Sequence, residues 1–408
     1  MTQVKIALIK EGKIPIDKRV ALTPFQARQV KERFPNVEIV AQRSDIRCFS
    51  DEDYQNEVIH LVDDVSDCDI LLGVKEVPIP NLIAEKTYFF FSHTIKKQPY
   101  NQSLLRMVLD KKIRLIDYET LTDQTGKRII AFGRWAGIVG AYNGIWTYGK
   151  RYNLFDIRRA SECFDLEDLK TEYGSVKLPA VKIAITGGGR VAKGVMEVMH
   201  GMGIRKVTPA AFISERFDVP VFTQLNTRDY NKKSDGGAFS RHEFYQNPEL
   251  YESDFLQYAK AADILIAAAF WDPNSPVLFK REDILRNDFK INVIADITCD
   301  IEGSIPSTKM PSTIEQPVYD YNPSDNEVEA AFVDEGNITV MAVDNLPCEL
   351  PRDASESFGN ELLNNVLPEL LGADEKEVIK RATITNNGTL TERYNYLRDY
   401  AEGKELTI

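Results

Sequence analysis

A chain of 408 residues is long enough for two domains with full cores, and 43% hydrophobic with 27% charged residues is ordinary for a globular protein. A net charge of −12 excludes a general nucleic-acid surface, so an anionic substrate must be held by a local group of Arg and Lys. No apolar run approaches membrane-spanning length, and the five scattered cysteines (Cys48, Cys68, Cys163, Cys299, Cys348) form no C-x-x-C pair, which points to reduced thiols and no metal site.

The start of the chain runs directly into a strand over 3–9 and lacks the apolar region of a signal peptide, so a cytoplasmic location is expected. Thr23-Pro24 opens a helix, with Thr as N-cap and Pro at the first helical position. Strand-like runs follow at 37–41, 69–74, 87–91 and 113–116, with helix-like stretches between most of them. This βα alternation predicts a parallel sheet. Its last runs each stop on ionisable residues: Lys75-Glu76, Ser92-His93 and Asp117-Tyr118-Glu119. A charged residue after a strand is usually just solvated. Here, however, ligands of open α/β sheets bind beyond the carboxyl ends of the strands, so Lys75, His93 and Glu119 are expected on one rim.

A lysine, an imidazole and carboxylates on one rim are the parts of a proton-transfer site. His93, as a second potential cation on the same rim, is expected to lower the Lys75 pKa and favour a neutral amine able to take a proton, while Glu76 and Glu119 oppose that shift. Of the four histidines, only His93 follows an apolar strand. Arg19 and Arg128 are the candidate carboxylate clamps, each with an ordinary surface arginine as the alternative.

The stretch 134–149 is Gly-rich and amphipathic, and is expected to be a helix linking two domains, with Gly137, Gly140 and Gly144 permitting close packing. A polar segment follows, then strands at 181–186, 221–225, 263–269, 291–297 and 338–343. Residues 353–371 and 391–402 read as helical. With no new strand after 343, the tail is expected to return to the first domain. The fold class is therefore α/β: two doubly wound Rossmann-like domains with a cleft between them. The expected division is 1–135 with 346–408 as the substrate domain and 136–345 as the dinucleotide-binding domain.

Val181-Lys-Ile-Ala-Ile-Thr-Gly187-Gly188-Gly189-Arg190-Val191-Ala192 is a strand, then G-x-G-x-x-A, then an apolar helix. Gly187 suits the tight turn, Gly189 the approach of a pyrophosphate, and Ala192 close packing of helix on strand. Past the strand 221–225 stand Asn226, Thr227, Arg228 and Asp229. Arg228 suits the 2′-phosphate of NADP, so NADP(H) is favoured, with NAD(H) as the alternative.

Several blocks resemble the alanine dehydrogenase/saccharopine dehydrogenase superfamily, in order along nearly the whole chain. They are Arg19-Val-Ala-Leu-Thr-Pro24, Gly73-Val-Lys-Glu-Val-Pro78, Phe91-Ser-His-Thr94, Asp117-Tyr-Glu119, Gly126-Lys-Arg128 and Asp344-Asn-Leu-Pro347. Asp296-Ile-Thr-Cys-Asp-Ile-Glu-Gly-Ser304, Ser312-Thr-Ile-Glu-Gln-Pro317 and Thr227-Arg-Asp229 look like the lysine–ketoglutarate reductase portion of the bifunctional lysine-degrading enzymes.

The resemblance implies a saccharopine dehydrogenase of the lysine-forming type, acting on lysine, 2-oxoglutarate and saccharopine with NADPH. It implies that Lys75 exchanges a proton with the secondary amine and that His93 serves the water and carbinolamine steps. It further implies that Glu76 and Glu119 modulate them, that Arg19 and Arg128 hold carboxylates, and that Asp344 lies on the nicotinamide side. Gly187, Gly188, Gly189, Arg190, Val191, Thr227, Arg228 and Asp229 are the implied cofactor residues. There are departures: fungal members carry Cys where Val191 stands and an acidic residue past the second strand. The chain ends at Ile408, which implies that a separate protein processes saccharopine onward. An amino-acid dehydrogenase like alanine dehydrogenase, or a transhydrogenase-like nucleotide-binding subunit, are the competing readings. The oligomer state stays open.

Overall fold

The computed structural model describes residues 3–404. The chain divides into two units, Met1–Ala131 with Pro351–Ile408, and Phe132–Leu350.

The first unit is built on an eight-stranded sheet. Its order is Thr389–Leu390, Thr383–Asn386, Arg114–Asp117, Thr87–Phe91, Ile70–Lys75, Val4–Leu8, Val37–Gln42, His60–Val62. The last six are parallel, which places all their carboxyl ends on one edge. The flat apolar runs of the sequence are explained by burial on both faces. One face packs Ala7, Val40, Leu71, Tyr88 and Phe90 into a core. On the other, Phe89 and Phe91 meet Tyr118, with ring centroids 5.8 and 5.3 Å apart, and Tyr118 meets Phe358 at 4.8 Å. Phe358 belongs to the returning helix Pro351–Glu361. That helix also lends the Ser355 hydroxyl to the Val20 N–H.

The expectation of no strand after 343 is corrected. Thr383–Asn386 adds antiparallel to Arg114–Asp117, and Thr389–Leu390 pairs with it as a hairpin. Asn387 and Gly388 both adopt positive φ, +48° and +79°, the backbone of a type I′ turn that asparagine and glycine favour. The helix expected over 353–371 is interrupted by a π-turn at Leu362–Val366, just before Pro368, which has no N–H to continue the ladder.

The second unit carries another eight-stranded sheet. It runs Glu327–Glu329, Val318–Asn322, Ile338–Met341, Val293–Asp296, Ile264–Ala267, Lys182–Thr186, Val221–Leu225, Arg205–Lys206. Val318–Asn322 is antiparallel to Ile338–Met341 and to Glu327–Glu329, and the other pairings are parallel. Both Val318–Asn322 and Glu327–Glu329 were outside the sequence reading. The helix Gly133–Arg151 lies wholly within this unit and crosses the helix Arg190–Gly201 at very short range. A Cβ on Gly137 would stand 1.9 Å from the Val191 carbonyl oxygen, and one on Gly194 2.0 Å from that of Arg134.

Backbone on backbone leaves no side chain to yield. Gly194→Ala is therefore expected to destabilise this unit by about 2 kcal/mol or more, the upper part of the overpacking range, read as a fall in thermal unfolding temperature. An unchanged melting curve would contradict the crossing.

Candidate active site

In the first unit the carboxyl edge brings Lys75, His93 and Glu119 to the ends of three neighbouring parallel strands. Lys75 is paired in register with Phe91, two residues before His93. The His93 ring lies nearly parallel to Phe91, 6.2 Å between centroids, and its Nδ1 is 3.3 Å from Glu119 Oε2. Glu119 Oε1 lies 3.3 Å from Lys96 Nζ and 3.6 Å from Arg128 Nη1. Burial opposes the Glu119 charge, but the His93 hydrogen bond and the Lys96 and Arg128 cations outweigh it and hold its carboxyl at about 2. Glu119 is thus an anion that fixes the tautomer and orientation of the imidazole.

Lys75 is depressed below the ordinary lysine value, first by burial and then by Arg19, with Asp17 and Glu76 opposing. The direction is the expected one, but burial leads it, the cations that add to it are Arg19 and Lys13, and the imidazole pairs with Glu119. Glu119 likewise acts on His93 and not on Lys75. Arg19 is only 3% exposed, and its Nε and Nη2 are gripped by Asp17 at 3.0 and 2.5 Å. Arg128 stands with its guanidinium 5.5 Å from the Phe91 ring centroid and its Nε on the Ile130 carbonyl. Glu76 is paired with Lys13 through Oε1, while its buried Oε2 lacks a hydrogen-bond partner.

Three residues of this edge escaped the sequence reading as site members. Asp17 holds Arg19, Glu11 accepts the backbone N–H groups of Val74 and Lys75, and the fully buried Asp117 ties two strand ends together. Asp117 accepts the Ser92 N–H at 2.9 Å, the Ser92 hydroxyl, and the Glu119 N–H at 2.7 Å. These bonds brace His93, whose backbone sits in the left-handed region at φ +54°. Nothing in the sequence pattern marked these roles, which depend on side chains folding back onto neighbouring segments.

In the second unit Gly187, at φ +103°, makes the turn after Lys182–Thr186, and a Cβ there would stand 2.7 Å from the Ala268 carbonyl oxygen. A Cβ on Gly189 would face open space, and no side chain caps the helix that starts at Arg190. The turn thus presents a helix start without a capping side chain and a positive helix end, which fits a dinucleotide pyrophosphate. Val191 and Ala192 lie in the first turn of that helix. A pocket beside the same strand ends is lined by Thr186, Thr227, Ala267, Ala269, Tyr245 and Trp271. The Gly187 N–H donates to the Leu225 carbonyl, which places Val221–Leu225 next to the first strand, while 209–214 is helical. Asp229 accepts the Asn226 N–H at 2.7 Å and so caps its own turn, whereas Arg228 is mostly solvent-exposed. Asp344 follows Ile338–Met341, is exposed, and donates its N–H to the Ser312 carbonyl. Among the described residues no His/Cys/Asp/Glu group could hold a metal, and no helix is long and apolar enough to cross a membrane.

Family models for the alanine dehydrogenase/PNT N-terminal and C-terminal domains match residues 7–139 and 168–397. The chain belongs to the alanine dehydrogenase/PNT family. Within this family, an alpha-aminoadipic semialdehyde synthase of Mus musculus is 30% identical over 98% of this chain and 48% of its own length. The lysine-forming, NAD(+) saccharopine dehydrogenase of Yarrowia lipolytica is 25% identical over 89% of this chain and 92% of its own. The chain spans about half the length of the mammalian relatives it matches. A solved L-alanine dehydrogenase superposes with a TM-score of 0.65 at 15% identity, covering 98% of this chain and 100% of that one, a likeness of fold.

Asp117→Ala should leave the Ser92 and Glu119 amides unsatisfied in the interior. The expected cost is about 1–3 kcal/mol per buried donor, measured by urea unfolding. A variant as stable as the parent would show that Asp117 does not brace the edge.

Proposed function

We propose that the chain interconverts L-lysine, 2-oxoglutarate and NADPH with saccharopine and NADP, in the manner of a lysine-forming saccharopine dehydrogenase. The observation that carries the reading is the strand-end set of the first unit: a depressed lysine, and an imidazole backed by a firmly ionised carboxylate. The similarity to the lysine-forming saccharopine dehydrogenase of Yarrowia lipolytica supports the same substrate class.

The chemistry needs two proton-transfer groups of different basicity. The ε-amine of lysine must be neutral to attack the ketone. Lys75, whose own ammonium is disfavoured by burial and Arg19, takes that proton. The hydroxyl of the carbinolamine must leave as water. His93 protonates it from Nε2, while Nδ1 is held by Glu119. The orphan Oε2 of Glu76 receives a donor from the substrate nitrogen. Arg19, fixed by Asp17, and Arg128 take substrate carboxylates in an otherwise acidic chain. Gly187, Gly188, Gly189 and the start of the Arg190–Gly201 helix would hold the dinucleotide, with Arg190 and Val191 at the pyrophosphate. The bound nicotinamide supplies the hydride that reduces the imine, and Asp344 is assigned to its side of the second unit.

NADP preference is part of the proposal. Asp229 is occupied by its own turn and Thr227 is neutral, which leaves Arg228 to meet a 2′-phosphate. None of the five cysteines is joined in a disulfide, which suits a reducing compartment such as the cytoplasm.

The test is loss of nicotinamide absorbance with lysine plus 2-oxoglutarate, set against ammonia plus pyruvate. The first pair should give the faster rate; a faster second pair would make the chain an alanine dehydrogenase-like enzyme. Lys75→Met and His93→Gln should each lower kcat by roughly 10²-fold or more while NADPH still binds. Near-parental rates in both would remove the site.

Arg228→Ala should raise the KM for NADPH by roughly tenfold or more, as expected for losing a charge-assisted phosphate contact, and leave the KM for NADH nearly unchanged. Equal effects on both coenzymes would overturn the NADP assignment.

A further inference from the structure

We infer that Glu11 is a positioning residue that holds Lys75 on the reactive face, by binding the two consecutive backbone amides of the bulge that precedes it. This rests on the assignment of Lys75 as proton acceptor made above.

Between Leu72 and Lys75 the strand carries one residue more than its neighbour. Leu72 pairs with Phe89, and Lys75 pairs with Phe91. An extra residue reverses the facing of every side chain that follows it. Without it, Val74 would pair with Phe91. Lys75 would then turn toward the apolar face of Leu71, Tyr88 and Phe90. The bulge is therefore what puts an amine beside Arg19 and on the Phe91 side of the sheet.

A bulge takes amides out of the ladder, and interior N–H groups need partners. Glu11 supplies them. Its Oε1 accepts the Val74 N–H at 2.6 Å and its Oε2 the Lys75 N–H at 2.9 Å. Gly73 keeps the carboxyl close: a Cβ there would lie 3.1 Å from Ile9 Cδ1 and 3.5 Å from Glu11 Oε1. The carboxyl is kept where its charge is disfavoured. Burial, and then Asp17, push it up to about 8 against the pull of the two amides. Asp17, Arg19 and Tyr118 are the titratable groups that face Glu11, and Arg19, Asp17, Lys13 and Glu76 face Lys75.

The experiment uses the intact chain with NADPH and whichever amine and 2-oxo acid react fastest. Glu11→Gln keeps the shape but turns an amide NH₂ against a backbone N–H. Glu11→Asp keeps the carboxyl and withdraws it by one methylene. Both should lower kcat by roughly 10²-fold, the scale for a misplacement of about an ångström, with NADPH affinity by fluorescence unchanged. The limb of the kcat/KM–pH profile that depends on Lys75 should move to higher pH, because a released amine regains water. A merely structural loss would reduce the folded fraction and leave that limb in place, and that result overturns the inference. Lys75→Met is run alongside. If it is inactive while Glu11→Gln and Glu11→Asp keep the parental kcat and limb, Lys75 stands and the role of Glu11 falls. If Lys75→Met is fully active, the acid–base assignment falls first and takes the inference with it. Should Glu11→Gln fail to fold, Glu11→Asp decides alone.

Discussion

Parallel pairing in the first unit sends every strand's carboxyl end to the same edge, and the proposed chemistry depends on that constraint. Lys75, His93 and Glu119 are distant in sequence but terminate adjacent strands. Pairing alone does not aim a side chain. We assign the aiming to the carboxylates that bind strand-end amides, the half-buried Glu11 behind Lys75 and the buried Asp117 behind His93 and Glu119. Each replaces hydrogen bonds that the ladder no longer supplies at its end.

The same edge shows how an acidic chain prepares a basic task. Arg19 does not act through the net field. It is held by Asp17 so that its charge falls on Lys75. Lys96 and Arg128 do the reverse for Glu119, keeping it ionised so that the imidazole has a fixed partner. Both groups are moved down, which favours the neutral amine at Lys75 and the charged carboxylate at Glu119.

Much of this was legible in the residues. Flat apolar runs gave the strands, because burial on both faces leaves no alternation to obscure them. The glycine turn followed from its strand and helix. Two kinds of feature were missed. The hairpin Thr383–Asn386 with Thr389–Leu390 is short, yet its Asn387-Gly388 turn was a usable signal. The roles of Glu11, Asp17 and Asp117 were not readable at all. A one-residue bulge and a side chain folding back onto a distant amide are tertiary facts, with no periodicity to betray them. The neighbour that lowers Lys75 was misassigned for the same reason: chain order names the residues on a rim, not which of them touch.

The most direct test is a crystal structure of the chain with saccharopine bound. The account predicts the secondary amine within hydrogen-bond distance of Lys75 Nζ, a carboxylate on Arg128, and the His93–Glu119 pair intact. A ligand seated with its amine away from Lys75 and its carboxylates on other cations would contradict it.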